Sequence, residues 1–441
     1  MKINFYELFF KKNTKLTISC CFFTLIVASF LILPTDNNAQ EVISFPFETT
    51  TGSTGGWRSS GDKTIRDTMG VYAGPLVSGN LDVMSGFLQQ APLSDYDFQQ
   101  GKGSWEFTPP PEMDFPFTAP EHSDTGGILT LNPADENTFG FFGSPFETPM
   151  KQDTVYMFKF AMSSNMSDLS QVPRIRLRIS VPDFQESPIY DFISMTGGEA
   201  SPGISPLIYK LFYYPSQAAS QTGTRPIGAF FDLINIGDED SLDADINLHY
   251  VTAETFPATV FSGAEQIQDY TFAADTEGWE LQDWTGISTP FTAPDYNYDS
   301  ANDRLELTVN DTENNFGFWE LAPGTSDIPA DSSRLYHAVF SISTDNPDET
   351  ALPKVRCRIY SDDFQATGEI SIDPNGDADL MPVTSGPRDY HAFLIPSSTA
   401  QNIGLTIDLI ALDAPGNPRI DNGTTIRLHG CRVERMDADQ F

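Results

Sequence analysis

A glycine flanked by aromatic residues occurs twice in the chain and is a distinctive candidate for ligand chemistry. The two runs are ENTFGFF, residues 136–142, and ENNFGFW, residues 313–319. Because alternate side chains of a strand point to opposite faces, we expect the paired phenylalanines of each run to lie in the core. Phe142 and Trp319 would then share the other face with a glycine hollow, where a sugar ring can stack. The alternative is that the aromatic residue only covers a close backbone approach. Trp284 is added to this candidate surface.

Two basic strands provide a second candidate surface. In the stretches RIRLRI and KVRCRI, apolar and basic residues alternate strictly, which predicts one buried face and one wet face. The wet face would carry Arg176, Arg178, Arg356 and Arg358. These arginines either neutralise carboxylates across the sheet or form the floor of a polar ligand groove, and the first interpretation is the simpler.

Acidic loops supply oxygen ligands of the kind that calcium prefers. The stretches GDEDSLDAD and STDNPDE contain Asp238, Asp240 and Asp243, and Asp345, Asp348 and Glu349. Neither stretch matches the EF-hand pattern, and solvated acidic loops are common. A structural calcium ion is therefore an expectation that stands beside the simpler interpretation of solvated loops.

Cysteine usage and motif content limit the possible chemistry. Cys357 and Cys431 are the two cysteines outside the N-terminal region. They form either one disulfide, which an exported protein permits, or two buried thiols. Neither the H-E-x-x-H nor the G-x-S-x-G pattern occurs in the sequence. No catalytic residue is therefore predicted.

The N-terminus has the pattern of an export signal. Lys11, Lys12 and Lys15 precede an apolar run at residues 16–33. We predict a signal peptide over residues 1–40 and a secreted or cell-surface location, with an uncleaved anchor as the alternative. The chain has 61 acidic and 25 basic residues and a net charge of −36. Such a charge opposes binding to nucleic acid, and to an anionic membrane beyond the N-terminal signal.

Repeated landmarks indicate an internal duplication. VPRIRLRISVPDFQ, which begins at Val172, aligns with LPKVRCRIYSDDFQ, which begins at Leu352. INLHYV and IRLHGC align at the same offset of 180 residues, and PFTAP also occurs twice. The sequence therefore predicts two homologous units, residues 95–260 and 267–437. Residues 41–94 are either a truncated third copy or additional strands of the first unit.

Short alternating segments separated by glycine- and proline-rich turns predict the fold of these units. Many short strands at this spacing are typical of antiparallel sandwiches and jelly rolls, and a unit of this length can bury a core of its own. The predicted fold is therefore all-β, with two tandem, homologous, jelly-roll-like β-sandwich domains.

The opening of each unit carries a family resemblance. Phe98 is followed by Trp105, and Phe272 by Trp279, at the same spacing. In an exported tandem jelly roll, this opening resembles the galactose-binding-like sandwiches and the carbohydrate-binding modules of that type. The resemblance implies a non-catalytic protein that binds extracellular polysaccharide or a cell-surface polymer, often with a structural calcium ion. The alternatives are a structural or adhesive surface protein with spacer sandwiches and, least favoured, a glycan-active enzyme.

Overall fold

The computed structural model describes most of the chain from residue 94 onwards. The described residues are 94–96, 98, 102–108, 118–149, 151, 153–180, 186–192, 202–216, 226–236, 242–282, 291–312, 314–348, 351–372, 386–412 and 421–441. They belong to one compact unit, Gln89–Phe441. The predicted signal peptide and nearly all of the segment 41–94 lie outside them.

Each repeat contributes eleven strands within the described residues. The first repeat contains β1 (Ser94–Tyr96), β2 (Glu106–Thr108), β3 (Glu121–Ser123), β4 (Leu129–Asn132), β5 (Asn137–Pro149), β6 (Thr154–Ser164), β7 (Arg174–Ser180), β8 (Glu186–Phe192), β9 (Leu207–Tyr213), β10 (Pro226–Ile236) and β11 (Ile246–Pro257). The second contains β12 (Glu265–Tyr270), β13 (Glu280–Gln282), β14 (Asp295–Asp299), β15 (Arg304–Thr308), β16 (Asn314–Leu321), β17 (Arg334–Thr344), β18 (Lys354–Ser361), β19 (Thr367–Ile372), β20 (Arg388–Leu394), β21 (Ile403–Leu412) and β22 (Thr425–Asp437).

The described helices are short 3₁₀ turns. They span Leu169–Gln171, Ala258–Gly263 and Ala438–Gln440. None of the helices in the described residues is long and apolar enough to cross a membrane.

The strands form three antiparallel sheets. The first has the order β3-β4-β11-β6-β9, with β1 also pairing with β11, and the second has the order β14-β15-β22-β17-β20, with β12 also pairing with β22. The third sheet has ten strands in the order β13-β16-β21-β18-β19-β8-β7-β10-β5-β2. Corresponding strands of the two repeats occupy corresponding places. The predicted all-β fold of two tandem antiparallel sandwiches is therefore confirmed.

The two repeats share the ten-stranded sheet through β8 and β19. These strands pair antiparallel, with Asp191 opposite Thr367 and Ser187 opposite Ser371. The repeats are offset by 180 residues here, so Asp191 corresponds to Ser371 and Ser187 corresponds to Thr367. Exchanging the two repeats therefore converts the first pair into the second. The junction therefore has a local two-fold symmetry like that of a symmetric dimer.

A second contact between the repeats is an apolar cluster separate from the main core. The rings of Phe212 and Phe393, one from each repeat, lie 5.7 Å apart. The buried members are Val155, Met157, Phe212, Phe256, Leu335, Phe393, Met436, Ala438 and Phe441. We call this set the inter-repeat cluster.

A pair of buried histidines borders the inter-repeat cluster. His337 Nε2 lies 2.9 Å from His391 Nδ1, and the ring of His337 stacks on Phe393 at 4.5 Å. His337 Nδ1 lies 3.4 Å from Glu434 Oε2. Burial lowers the pKa of His337, and it lowers the pKa of His391 well below the ordinary value. Both shifts favour the neutral form of the imidazole.

The openings that carry the family resemblance lie in the core. Trp105 and Trp279 are 0% and 1% exposed. Phe98 and Phe272 contact them edge-on at 5.7 and 6.1 Å. Both phenylalanines have positive φ, 53° and 58°, which is rare for a bulky residue. The same uncommon backbone conformation is thus built at the start of both repeats.

Candidate functional site

The aromatic–glycine runs have the opposite orientation to the one expected from sequence. Phe142 and Trp319 are 1% and 5% exposed. Trp319 also donates a hydrogen bond from Nε1 to the carbonyl oxygen of Glu306 at 3.1 Å. Phe142 and Trp319 therefore lie on the inner face of the ten-stranded sheet. The prediction that they present a ligand surface is wrong. Alternation identifies two faces but not which one is buried.

The glycine hollow is filled by a proline of the same repeat. A Cβ atom on Gly140 would lie 2.5 Å from Cδ of Pro120, and one on Gly317 would lie 2.4 Å from Cδ of Pro294. These prolines end the two copies of PFTAP. The two repeated phrases therefore form a single packing contact, and the hollow is not open to a ligand.

The outer face of the ten-stranded sheet carries the candidate site. Its aromatic and charged side chains come from β5, β7 and β10 in the first repeat, and from β16, β18 and β21 in the second. We call it the arginine face. It comprises Phe139, Phe141, Arg176, Arg178, Phe230, Asp232, Phe316, Phe318, Arg356, Arg358, Tyr360 and Asp408.

In the first repeat, two arginines share one buried carboxylate. Arg176 Nε donates to Asp232 Oδ2 at 2.8 Å. Arg178 donates from Nε to Oδ2 at 2.7 Å and from Nη2 to Oδ1 at 2.9 Å. The side chain of Asp232 is 0% exposed, whereas those of Arg176 and Arg178 are 25% and 13% exposed. The carboxylate thus anchors two guanidinium groups that reach solvent.

The second repeat builds the same arrangement around Asp408. Arg356 Nε donates to Asp408 Oδ2 at 2.7 Å, and Arg358 Nη2 donates to Oδ1 at 3.0 Å. Thr406 adds a hydrogen bond to Oδ1 at 3.0 Å. Burial alone would raise the pKa of Asp408, but Arg356 and Arg358 outweigh it and hold this pKa below its ordinary value. We call the two arrangements the arginine nodes.

Aromatic rings flank the guanidinium groups. Arg178 Cζ lies 5.2 Å from the ring centre of Phe141 and 5.1 Å from that of Phe230. Arg358 Cζ lies 5.7 Å from the ring centre of Phe318. These distances are within the range of cation–π attraction. The ring of Phe318 is 5% exposed, so in the second node it packs against Arg358 and offers little surface to a ligand.

An exposed aromatic residue extends the arginine face in the second repeat. Phe364 is 52% exposed and stacks on Tyr360 at 5.5 Å with 17° between the ring planes. Tyr360 donates a hydrogen bond to Glu320 Oε1 at 2.5 Å. A Cβ atom on Gly404 would lie 2.5 Å from the Tyr360 ring, so the glycine lets that ring lie close to the strand.

Sequence reasoning missed Phe364. The available signal was the phrase DFQ, which occurs at residues 183–185 and 363–365. Phe364 has a φ of 53°, a conformation that is costly for a bulky residue. An exposed ring on a strained backbone is a feature that tertiary contacts must hold in place.

The predicted calcium ligands are not gathered within the described part of the chain. Asp345 accepts hydrogen bonds from Thr425 N at 2.8 Å and Arg427 Nη2 at 3.2 Å. Asp243 and Asp348 are exposed. The described residues contain no group of three or more metal-ligating side chains. The other calcium candidates, Asp238, Asp240 and Glu349, lie outside the described residues. Trp284, predicted for the ligand surface, also lies outside them.

The two cysteines of the described residues are free thiols, so the disulfide considered for them is not formed. Cys357 in β18 and Cys431 in β22 are 0% and 1% exposed. Burial raises the pKa of both thiols, and it raises that of Cys357 well above its ordinary value. They occupy the core as small apolar residues, as do their counterparts Leu177 and Val251 in the first repeat.

A serine–histidine pair recurs in both repeats but is not arranged for nucleophilic catalysis. Ser163 Oγ lies 2.8 Å from His249 Nε2, and Ser343 Oγ lies 2.8 Å from His429 Nε2. The serines are 4% and 0% exposed. Burial lowers the pKa of both imidazoles. A hydroxyl buried this deeply is shielded from a substrate, so each pair suits a link between strands better than a nucleophilic attack.

Comparisons with known proteins give structural neighbours only. No protein-family model and no curated protein matches the chain. The tandem CBM22-1-CBM22-2 domain of Xyn10C from Paenibacillus barcinonensis is similar at 8% identity and a TM-score of 0.24, covering 78% of this chain and 98% of that one. The xylan-binding module CBM15 covers 39% of this chain and 95% of its own, at 12% identity and a TM-score of 0.23. A cyclase from Fischerella sp. TAU covers 36% and 94%, at 9% identity and a TM-score of 0.24. Such low TM-scores carry no argument about what this chain binds.

Proposed function

We propose that the protein is an exported, non-catalytic binding protein that recognises an extracellular or cell-surface polysaccharide through the arginine face. The observation that carries this proposal is the exposed Phe364 ring, stacked on Tyr360 beside the Glu320 carboxylate and the second arginine node. Aromatic planes provide a surface for the C–H faces of sugar rings, and fixed charged groups hydrogen-bond to their hydroxyls. A few placed polar groups beside apolar surface are typical of a ligand site.

The proposal is tested by removing the exposed ring and measuring binding to a panel of plant, algal and bacterial polysaccharides by affinity electrophoresis. Phe364→Ala removes the ring but keeps the Cβ atom. Alanine therefore meets the same positive φ that phenylalanine adopts at this position. We expect at least a fivefold loss of affinity for any polysaccharide that the unaltered chain retains. Tyr296→Ala is the matched control, because Tyr296 is 59% exposed on β14, in a different sheet.

Two outcomes would contradict the proposal. Equal loss in both variants would place the binding surface elsewhere. Failure of the unaltered chain to bind any member of the panel would favour the structural or adhesive alternative.

We also propose that a structural calcium ion binds to the acidic stretch at residues 237–245. A ligand that binds only the native state stabilises it by about 2.7 kcal/mol at one hundred times its dissociation constant. We expect calcium to raise the melting temperature and a chelator to reverse the increase. Identical melting curves with calcium and with chelator would remove calcium from the proposal.

A further inference from the structure

We infer that the polysaccharide bound by the arginine face is acidic, and that one polymer chain contacts both arginine nodes. This inference rests on the proposed function and names its ligand class. The shared chemistry is an anionic group on the sugar, either a carboxylate or a sulfate.

At each arginine node, the guanidinium groups are more exposed than the carboxylates that pair with them. The anchoring carboxylates of Asp232 and Asp408 are 0% exposed, whereas the side chains of Arg176 and Arg356 are 25% and 27% exposed. Glu369 lies 3.6 Å from Arg356 and its side chain is 11% exposed. A ligand approaching either node therefore meets guanidinium groups before it meets the anchoring carboxylates. Elsewhere on this face Glu320 pairs with Tyr360, and Asp191 stands opposite Arg176 in the strand register.

The fixed guanidinium groups suit planar or tetrahedral anions. Arginine bonds to carboxylate and sulfate-like groups through several N–H donors at once. Here the buried carboxylates and the neighbouring rings of Phe141, Phe230 and Phe318 restrict how the guanidinium groups move. Less side-chain freedom is therefore lost when an anion binds.

The acidic net charge does not outweigh this local surface. Charges separated by more than about 10 Å in solvent are largely screened at 0.1 M salt. The affinity for a bound anion is therefore set by the groups within a few ångströms of it. At the nodes these are the paired arginines, together with Glu369 beside Arg356.

The two nodes are placed so that one polymer can reach both. Arg176 and Arg356 lie on β7 and β18, which are separated by β8 and β19. Three strand spacings give about 14 Å across the sheet. The register displaces the two arginines by four residues along the strands, or about 14 Å. They are therefore roughly 20 Å apart, and simultaneous contact raises affinity without new kinds of contact.

The first arm of the test compares polymers that differ only in charge. The probes are polygalacturonate against its methyl-esterified form, and a sulfated galactan against the same galactan after desulfation. We expect binding of the full chain to at least one anionic polymer to exceed that to its neutral partner by tenfold or more. The preferred polymer identifies carboxylate or sulfate as the recognised group.

The outcomes separate the inference from the proposed function. Equal binding to charged and neutral partners would overturn the inference and leave polysaccharide binding intact. Binding to none of the four polymers, nor to any other polysaccharide in the panel, would overturn both.

The second arm tests the nodes themselves. Arg176→Gln and Arg356→Gln should each weaken binding to the preferred polymer at least tenfold, and the double variant should abolish detectable binding. Arg435→Gln is the control, because Arg435 is 26% exposed and pairs with Glu265 in another sheet. Unchanged binding by a folded double variant would overturn the inference.

A measurement on the unaltered chain keeps the inference testable if these variants do not fold. A trisaccharide of galacturonate or of the sulfated galactan is too short to reach both nodes. We expect the polymer to bind at least tenfold more tightly per chain than the trisaccharide. Equal affinities would contradict contact with both nodes.

Discussion

Each arginine node contains one buried aspartate that pairs with two arginines. Asp408 accepts hydrogen bonds from Arg356 and Arg358 and is fully buried. Substituting Asp408→Asn would leave two guanidinium groups facing a neutral amide, and breaking a buried pair in this way costs about 3–5 kcal/mol. We expect a clearly lower free energy of unfolding by chemical denaturation. Glu265→Gln, at an exposed ion pair with 63% of the carboxylate side chain accessible, should change it by less than about 1 kcal/mol.

The glycine in the second aromatic run gives another prediction for a single residue. Gly317→Ala would place a methyl group 2.4 Å from Cδ of Pro294. Overpacking of a tight site typically costs about 1–3 kcal/mol, so we expect a lower midpoint of denaturation. The control is Gly324→Ala, where a Cβ atom would meet nothing within 4 Å. Equal effects at the two positions would show that the contact with proline is unimportant.

Residue by residue, the sequence predicted the composition of the site better than its orientation. Strict alternation placed Arg176 and Arg356 on a wet face, where their side chains are 25% and 27% exposed. The orientation of the aromatic runs was not predictable, because both faces of β5 and β16 carry aromatic residues. Phe364 escaped detection because its exposure depends on tertiary contacts.

At the level of elements, three strands of the second sheet bring the buried histidines together. His337 lies on β17 and His391 on β20, and Glu434 on β22 lies beside His337. Corresponding positions in the first repeat carry Met157 and Lys210. The histidine pair is therefore specific to the second repeat.

The histidine pair makes stability sensitive to acid. Burial lowers the pKa of His391 in the folded state, whereas a histidine in the unfolded chain has a pKa of about 6.5. Below that pH the unfolded chain therefore binds more protons than the folded chain. Stability is fully present above that pH and falls as the pH decreases, by up to about 1.4 kcal/mol per pH unit for one proton. We expect the free energy of unfolding to decline between pH 7 and pH 5.

Substitution at His391 tests this sensitivity. His391→Gln keeps a polar group near His337 but removes one titrating group, so the decline should become shallower. His122→Gln, at an exposed position on β3, should leave the slope unchanged. A pH dependence identical in all three proteins would show that another group is responsible.

Short elements were the hardest part of the fold to predict. The copies of PFTAP bond to the start of β5 and β16, where Phe139 N donates to the oxygen of Thr118 and Phe316 N to that of Thr292, both at 3.0 Å. Isolated bridges of this kind have no sequence periodicity. The long alternating strands β7 and β18 were predictable because one face is buried and the other is wet.

For the whole molecule, the shared sheet and the inter-repeat cluster predict one unfolding transition for residues 89–441. Separating the repeats would expose the edges of β8 and β19 and the rings of Phe212 and Phe393. We expect calorimetric and van't Hoff enthalpies to agree for this unit. Two resolved transitions, each accounting for about half of the total enthalpy, would show that the repeats are independent.

The duplication was readable from sequence, whereas the union of the repeats was not. Homologous landmarks reveal a common ancestor for two units. Pairing between β8 and β19 requires only that both strands have compatible edges, and backbone hydrogen bonds do not depend on side-chain identity. An expectation of two separate cores therefore follows naturally from the sequence and misses the shared sheet.

The symmetric junction also protects the molecule from sheet growth. An unpaired strand edge is a template on which another chain can add and begin aggregation. In the described structure, the edges of β8 and β19 pair with each other, and a contact related by a two-fold axis closes on itself. The ten-stranded sheet then ends at β2 and β13, which are three residues each. Such short ends offer few hydrogen bonds to another strand, so a very wide sheet forms here without a long unpaired edge in the described residues.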